Sequence, residues 1–383
     1  MAMEFGLKEE QEMLKTMARD FLANECPKTV VRELMETDTG FSSELWKKMA
    51  DNGFLGLVFP EEYGGGGMNF RDLTILCEEI GRAVGPSPFI STVVLVGMPI
   101  LAFGTDEQKQ EFLPKIANGE AACTLAVLEE DGDLWPESIK VRALRRGDEY
   151  VLRGSKLFVP DAKSADYMLV AARTKHTENP EEGITLFLAD AKEWGVYSAM
   201  MKTMDETRKQ YEVVFTNVPV PARNMIGELH QGWPILQQIA LWASAALCAE
   251  MVGAGEMALE MTVDYAKERI QFGVPIGSFQ AIKHKCADCF IGLEYARSLM
   301  EWAAEAIKED HPDVPMAVSM AKSYCGDTSK KVTDEGVQIH GGIGFTWDHD
   351  MHLYFKRVRS ADTAFGDGNY HRDLLAKALE ASI

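Results

Sequence analysis

No uninterrupted apolar run reaches the roughly 18 residues that a bilayer span needs. The longest apolar stretch, near Ile239–Cys248, is flanked by Gln238 and Glu250, so no membrane-spanning segment is expected. Cations are also scarce. Lys and Arg together number 39 against 59 Asp and Glu, a net charge of −20. That balance excludes nucleic acid or an anionic membrane as the main partner, although a few local cations or helix N-termini can still hold an anionic ligand. Met1–Glu12 is acidic and lacks a basic flank, so no cleaved secretory signal is expected. The seven cysteines are scattered, and the one close pair, Cys286-Ala-Asp-Cys289, has no second pair to complete a zinc site. They read as reduced thiols of a cytoplasmic protein. His349-Asp-Met-His352 reads as a solvated or structural pair, and no metal is expected. There is no internal repeat and no low-complexity segment.

What is present is ordinary for a globular chain of 383 residues: 46% hydrophobic and 26% charged. Three regimes follow one another, here bounded as 1–120, 121–228 and 229–383. In the first, Leu73, Leu76, Cys77, Ile80 and Val84 recur at helical intervals. Thr105, followed by Asp106 and Glu107, marks a helix start. In the second, the β-rich runs beginning at Tyr150, Tyr167, Ile184 and Tyr211 are separated by Gly, Asp and Pro turns, which predicts a compact sheet or barrel. In the third, Trp242–Glu268 and Ser278–Lys308 are long enough to be packing helices of a bundle. Helices, then strands, then helices make an α+β protein.

The most informative segment runs from Tyr265 through Arg269, Phe272 and Gly273 to Gln280. It predicts a helix that stops at Gly273-Val-Pro275 and restarts near Ser278, with Arg269 in the last turn. Arg is suited to paired contacts with phosphate oxygens. A plain helix–turn–helix corner with Arg269 lying along the surface explains the same residues.

The Tyr-x-x-x-Arg-x-x-Phe-Gly pattern with Gln280 downstream resembles the signature of the acyl-CoA dehydrogenase family. Gly53–Gly65, Gly104–Glu120 and Gln338-Ile-His-Gly-Gly-Ile-Gly-Phe345 resemble three further family segments in the same order. The resemblance implies an N-terminal helical domain, a central β domain and a C-terminal four-helix bundle. It also implies FAD between the last two, with part of its site supplied by a neighbouring subunit. Arg269, Phe272 and Gln280 then match positions near the FAD pyrophosphate, and Gln338, Gly341 and Gly342 a cofactor-contacting stretch. Paired glycines suit a backbone that a ligand approaches closely.

The β domain departs from the pattern. Val127-Leu-Glu-Glu-Asp-Gly-Asp-Leu-Trp135 stands where the family has Thr-Glu-Pro and Ser-Asp, placing Leu128 in a flavin-contacting loop. Phe158-Val-Pro-Asp161 replaces aromatic-Ile-Thr-Asn. Phe158 retains an aromatic for the flavin, while Pro160 removes a hydroxyl and has no N–H.

The reaction that the resemblance implies needs a carboxylate to take the proton α to the thioester carbonyl, while the flavin takes a hydride. Counting from Phe345, the usual Glu falls on Phe365, and Ala364–His371 contains no Glu. A smaller branch places its base at the position of Ala243, beside an Arg that is here Ser244. Both slots lack a carboxylate. Asp367 is the nearest candidate base, and it also reads as the N-cap of a helix over His371–Ala381. The expected activity is FAD-dependent dehydrogenation of an acyl-CoA in fatty, aromatic or alicyclic acid degradation. Its electron acceptor would be an electron-transfer flavoprotein, and the chain would be a homo-oligomer, dimer or tetramer. Pro88–Thr92, including Ser91, and the small residues around Ala243 and Ser244 would line a pocket for a bulky or cyclic acyl group. Nitroalkane-oxidase chemistry and a non-catalytic role in a hetero-oligomer are the alternatives.

Overall fold

The computed structural model describes residues 6–381. Met1–Phe5 of the acidic start, and Ser382 and Ile383 of the last domain bound, lie outside the described residues. The helices are α1 Glu9–Glu25, α2 Lys28–Met35, α3 Ser43–Asp51, α4 Phe70–Ala83, α5 Met98–Phe103, α6 Asp106–Ala117, α7 Gly232–Glu268, α8 Gln280–Lys308, α9 Val314–His340, α10 Met351–Thr363 and α11 Gly368–Ala381. Thr105 starts α6 as expected, through a capping box with Gln108. The expected α+β class is observed: helices first, a sheet next and a helical bundle last.

The residues group into two compact units. A helical unit contains the described chain up to Arg32, Asn69–Gly85 and everything from Ser244 on, whereas a sheet unit contains Glu33–Met68 and Pro86–Ala243.

The sheet unit is built on β1 Cys123–Ala126, β2 Arg142–Arg146, β3 Glu149–Pro160, β4 Tyr167–Arg173, β5 Ile184–Asp190, β6 Val196–Met201, β7 Gln210–Pro221 and β8 Met225–Ile226. They pair in the order β6-β7-β3-β2-β4-β5-β8, and β1 joins β4 in parallel. Leu152, Val159, Met168, Val170, Phe187, Val213 and Phe215 fill the core; β7 alternates buried and outward residues, whereas β4 and β5 are buried along nearly their whole length. Before the sheet, Ile90–Gly97 winds as a π-helix, with the Met98 N–H reaching the Val93 carbonyl. Its polar side chains are anchored. Thr92 Oγ1 donates to the Cys123 carbonyl at 3.0 Å and accepts from the Cys123 N–H at 2.9 Å.

In the helical unit α4 crosses α7 with backbone against backbone. A Cβ on Gly81 would stand 2.0 Å from the Glu250 carbonyl oxygen, and one on Gly253 would stand 1.9 Å from that of Glu78. The charges beside this crossing are paired. Glu250 meets Arg357 at 2.5 Å with both buried. Glu78 receives Lys15 at 2.8 Å and Arg297 at 2.6 Å. Burial alone would raise the Glu78 carboxyl, but the nearby Arg297 and Lys15 charges outweigh it and hold the group below its usual range. By length and composition alone α7 could cross a bilayer, yet 78% of its apolar window is buried within the protein. That burial accounts for its hydrophobicity as a core helix.

Gly253→Ala should lower the thermal unfolding midpoint, because backbone atoms cannot yield to the new methyl. Overpacking of this kind typically costs roughly 1–3 kcal/mol, more than the ~1 kcal/mol that alanine gains over glycine within a helix. A midpoint equal to the parent's would show that the crossing has slack.

Candidate functional site

The Tyr265 segment folds differently from its expected shape. α7 ends at Glu268, so Arg269 lies just beyond the helix rather than in its last turn, with its N–H donating to the Tyr265 carbonyl at 2.8 Å. A two-stranded ribbon follows, Ile270–Gln271 against Val274–Pro275. Its turn residues Phe272 and Gly273 both have positive φ, 54° and 81°. A two-residue hairpin of this hand requires such angles, and they are uncommon for a bulky side chain. Pro275 ends the ribbon, and Gln280 is the first residue of α8. The Phe272 ring is 92% exposed.

Gln338 lies in the last turn of α9, and the helix ends at Gly341 with φ 63° and ψ −138°, a conformation in which a side chain is strongly disfavoured. Gly342 is not constrained in that way: a Cβ there would meet nothing within 4 Å. The room beside it is what close approach by a ligand needs. These two segments meet. Tyr265 stacks on His340 with centroids 4.5 Å apart and an interplanar angle of 23°, and His349 lies 4.5 Å from His340. Burial lowers the His340 pKa, which favours the neutral ring, and the carbonyl of Gly336 lies 2.7 Å from its Nδ1. Arg269, Gln280, Gln338, Gly341 and Gly342 are all exposed. Tyr265 and His340 stand in two of the motif segments, but their contact was not foreseen, because stacking between helix ends leaves no periodic signal. His352 stacks on Trp347 instead. Among the described residues no cluster of His, Cys, Asp and Glu is arranged to hold a metal ion.

In the sheet unit, the Leu157 N–H donates to the Leu128 carbonyl at 2.8 Å. That bond sets the Leu128 loop beside Phe158. The β3–β7 register shifts between Lys156 and Val159, and Phe158 takes φ 52° within this bulge. The bulge leaves Phe158 41% exposed between buried Lys156 and Val159, with its N–H on the Met201 sulfur at 3.3 Å. Pro160 uses its carbonyl, which accepts from Thr124 Oγ1 at 2.5 Å. Ser91 is buried and donates to Asp161 Oδ2 at 2.5 Å, so its hydroxyl ties the π-helix to the end of β3. Ala243 and Ser244 are buried within α7.

Asp367 belongs to the helical unit. Its Oδ1 accepts from the Asn369 N–H at 3.0 Å and the Tyr370 N–H at 2.9 Å, which makes it the N-cap of α11. Hydrogen bonds from Tyr370 and Asn369 hold its carboxyl below the usual range, an influence that weakens it as a base. The preceding turn has Phe365 at φ 58° and Gly366 at φ 97°. Buried Lys322 reaches the carbonyls of Asp362 at 2.7 Å and Gly366 at 2.8 Å. Burial and the Lys322 charge push the His371 pKa down to about 4.

Asp367→Ala should cost about 1 kcal/mol as a lost cap, while Asp367→Asn should stay near the parent. A carboxylate lowered by folding contributes stability above its unfolded pKa and loses it as pH falls through the lowered folded value. The gap between parent and alanine variant in thermal midpoint should therefore be full at neutral pH and narrow in acid. A gap independent of pH would remove the charge from the explanation.

Profiles of the acyl-CoA dehydrogenase N-terminal, middle and C-terminal domains match residues 8–120, 124–218 and 230–380. A 3-(aryl)acrylate reductase of Clostridium sporogenes is 31% identical over 377 residues, 97% of this chain and 98% of the relative. The caffeyl-CoA reductase-Etf complex subunit CarC of Acetobacterium woodii is 29% identical over 92% of this chain and 93% of its own. The solved structure of butyryl-CoA dehydrogenase from Megasphaera elsdenii superposes with a TM-score of 0.92 at 29% identity, covering 99% of this chain and 100% of that one. With three domain profiles matched in order and the helix–sheet–helix architecture shared across whole chains, the protein belongs to the acyl-CoA dehydrogenase family and is an oxidoreductase of its kind.

Proposed function

We propose that this chain, loaded with FAD, dehydrogenates the Cα–Cβ bond of an acyl-CoA thioester. The observation that carries this reading is the Tyr265–His340 stack, which brings the Arg269 hairpin and the Gln338–Gly342 turn together in one unit. Their chemistry fits a dinucleotide. Arg269 offers a charged fork for phosphate, Gln280 and Gln338 offer amides, and Gly342 leaves room for a close approach. In the sheet unit, Leu128 and the outward-turned Phe158 offer apolar surface suited to a ring system. FAD, when bound, supplies the hydride acceptor. Exposed Ile270, Phe272, Phe290, Ile291, Tyr295 and Phe345 suit burial against a second copy of the chain, which supports a homo-oligomer.

Asp367 is the proposed base, since it is the carboxylate nearest the expected slot. Its commitment to the α11 cap favours a second reading, in which a partner chain supplies the carboxylate in a hetero-oligomer. The small, buried Ala243 and Ser244 support a bulky or cyclic acyl group. The similarity to CarC, a subunit of a caffeyl-CoA reductase-Etf complex, supports an electron-transferring flavoprotein as redox partner. Seven cysteines without a disulfide support a cytoplasmic setting.

The purified protein should be yellow and should bleach under anaerobic conditions with a member of a panel of linear, branched and cyclic acyl-CoAs. Asp367→Asn should remain yellow, keep the parent's melting midpoint and fail to bleach. Bleaching of this variant at the parent's rate would remove Asp367 from the chemistry. A colourless parent would favour the hetero-oligomer.

A further inference from the structure

Glu129 and Lys156 were given no role of their own, yet they sit where the Leu128 loop meets the Phe158 bulge in the sheet unit. The Lys156 side chain is fully buried. Its Nζ donates to Glu129 Oε1 at 2.7 Å and to the Val127 carbonyl at 2.8 Å. The same Glu129 oxygen accepts from the backbone N–H groups of Lys140, at 2.9 Å, and Val141, at 3.0 Å. One carboxylate oxygen and one ammonium thus bind three stretches of chain: 127–129, 140–141 and β3 at 156. Arg173 holds the far side of the loop, donating to the carbonyls of Ile139, Pro180, Glu182 and Pro136.

This clip flanks the residues that matter. Leu128 is the residue between Val127 and Glu129, and its carbonyl accepts from Leu157. Phe158 stands two positions beyond Lys156, in the bulge that begins there. Burying a charged pair is unfavourable unless its hydrogen bonds are complete, and an apolar pair would satisfy packing alone. What the ionic pair adds is direction: its bonds specify one arrangement of loop against strand.

We propose that the Lys156–Glu129 pair is a positioning device that fixes Leu128 and Phe158 for the flavin, a role that rests on their assignment to the cofactor site. Neither residue would touch the cofactor; both act through the backbone of Leu128 and the bulge at Phe158.

The test uses FAD-loaded protein carrying Lys156→Met, Lys156→Arg, the double change Lys156→Met with Glu129→Leu, or Phe158→Ala as a reference. The double variant leaves no orphaned charge, so it carries the test if Lys156→Met fails to fold. Hydrogen exchange should speed up roughly tenfold or more at the Leu157 and Val141 amides. The flavin absorption band should shift or lose its fine structure. For the bleaching substrate, kcat should fall roughly tenfold or more with KM within about twofold, as expected for misplacement rather than lost binding. Lys156→Arg should restore part of each. A parent-like flavin band in a folded Lys156→Met or double variant, beside a shifted band in Phe158→Ala, would overturn the positioning role alone. An unshifted band in Phe158→Ala would overturn the site assignment beneath it.

Discussion

The helical unit depends on a contact that no side chain can enter. α4 and α7 touch through Gly81 and Gly253, each lying under a carbonyl of the other helix. Such an approach brings the flanking residues of both helices into close quarters, and several of these are acidic. Glu78, Glu79 and Glu250 must then meet cations or remain unpaired in an apolar interior. Lys15, Arg19, Arg297 and Arg357 provide them from α1, α8 and α10. One steric constraint therefore sets which helices pack around it and with which charges.

Local chemistry made much of the fold legible in the sequence. The Thr105 cap, the β-rich runs and the long apolar helices all act within a few residues, and each is found. The boundaries that shifted have specific causes. α7 begins at Gly232 rather than Trp242, because Pro234 is tolerated in a first helical turn. Its end at Glu268 is the one expected for Trp242–Glu268, and the hairpin turn at Phe272 and Gly273 follows it. The β3 bulge at Phe158 and the winding of Ile90–Gly97 left no mark in the pattern, since both answer to contacts with chain far away in sequence.

The site was legible to the extent that it is a set of motifs. Arg269, Gln280, Gln338, Gly341 and Gly342 stand out as residue types in order, and the Asp-Gly-Asn sequence after Phe365 announced a helix cap. The connections between them were hidden. Tyr265 meets His340 across 75 positions and Lys156 meets Glu129 across 27; a lone Lys or Glu in a strand-rich stretch reads as a solvated charge. Long-range partners become visible only when helix packing or strand register brings them together.

The wide winding of Ile90–Gly97 has a further consequence. A π-turn accommodates one residue more than an α-turn for each hydrogen-bonded closure. It is the form a helix adopts when its ends are pinned and its length has changed by one. Here the pins are Ser91 on Asp161, Thr92 on Cys123, and Gly97 against the Phe59 ring. The segment is thus held at both ends, and its wider winding takes up the extra residue between those anchors, so that the strands to which it is tied keep their places.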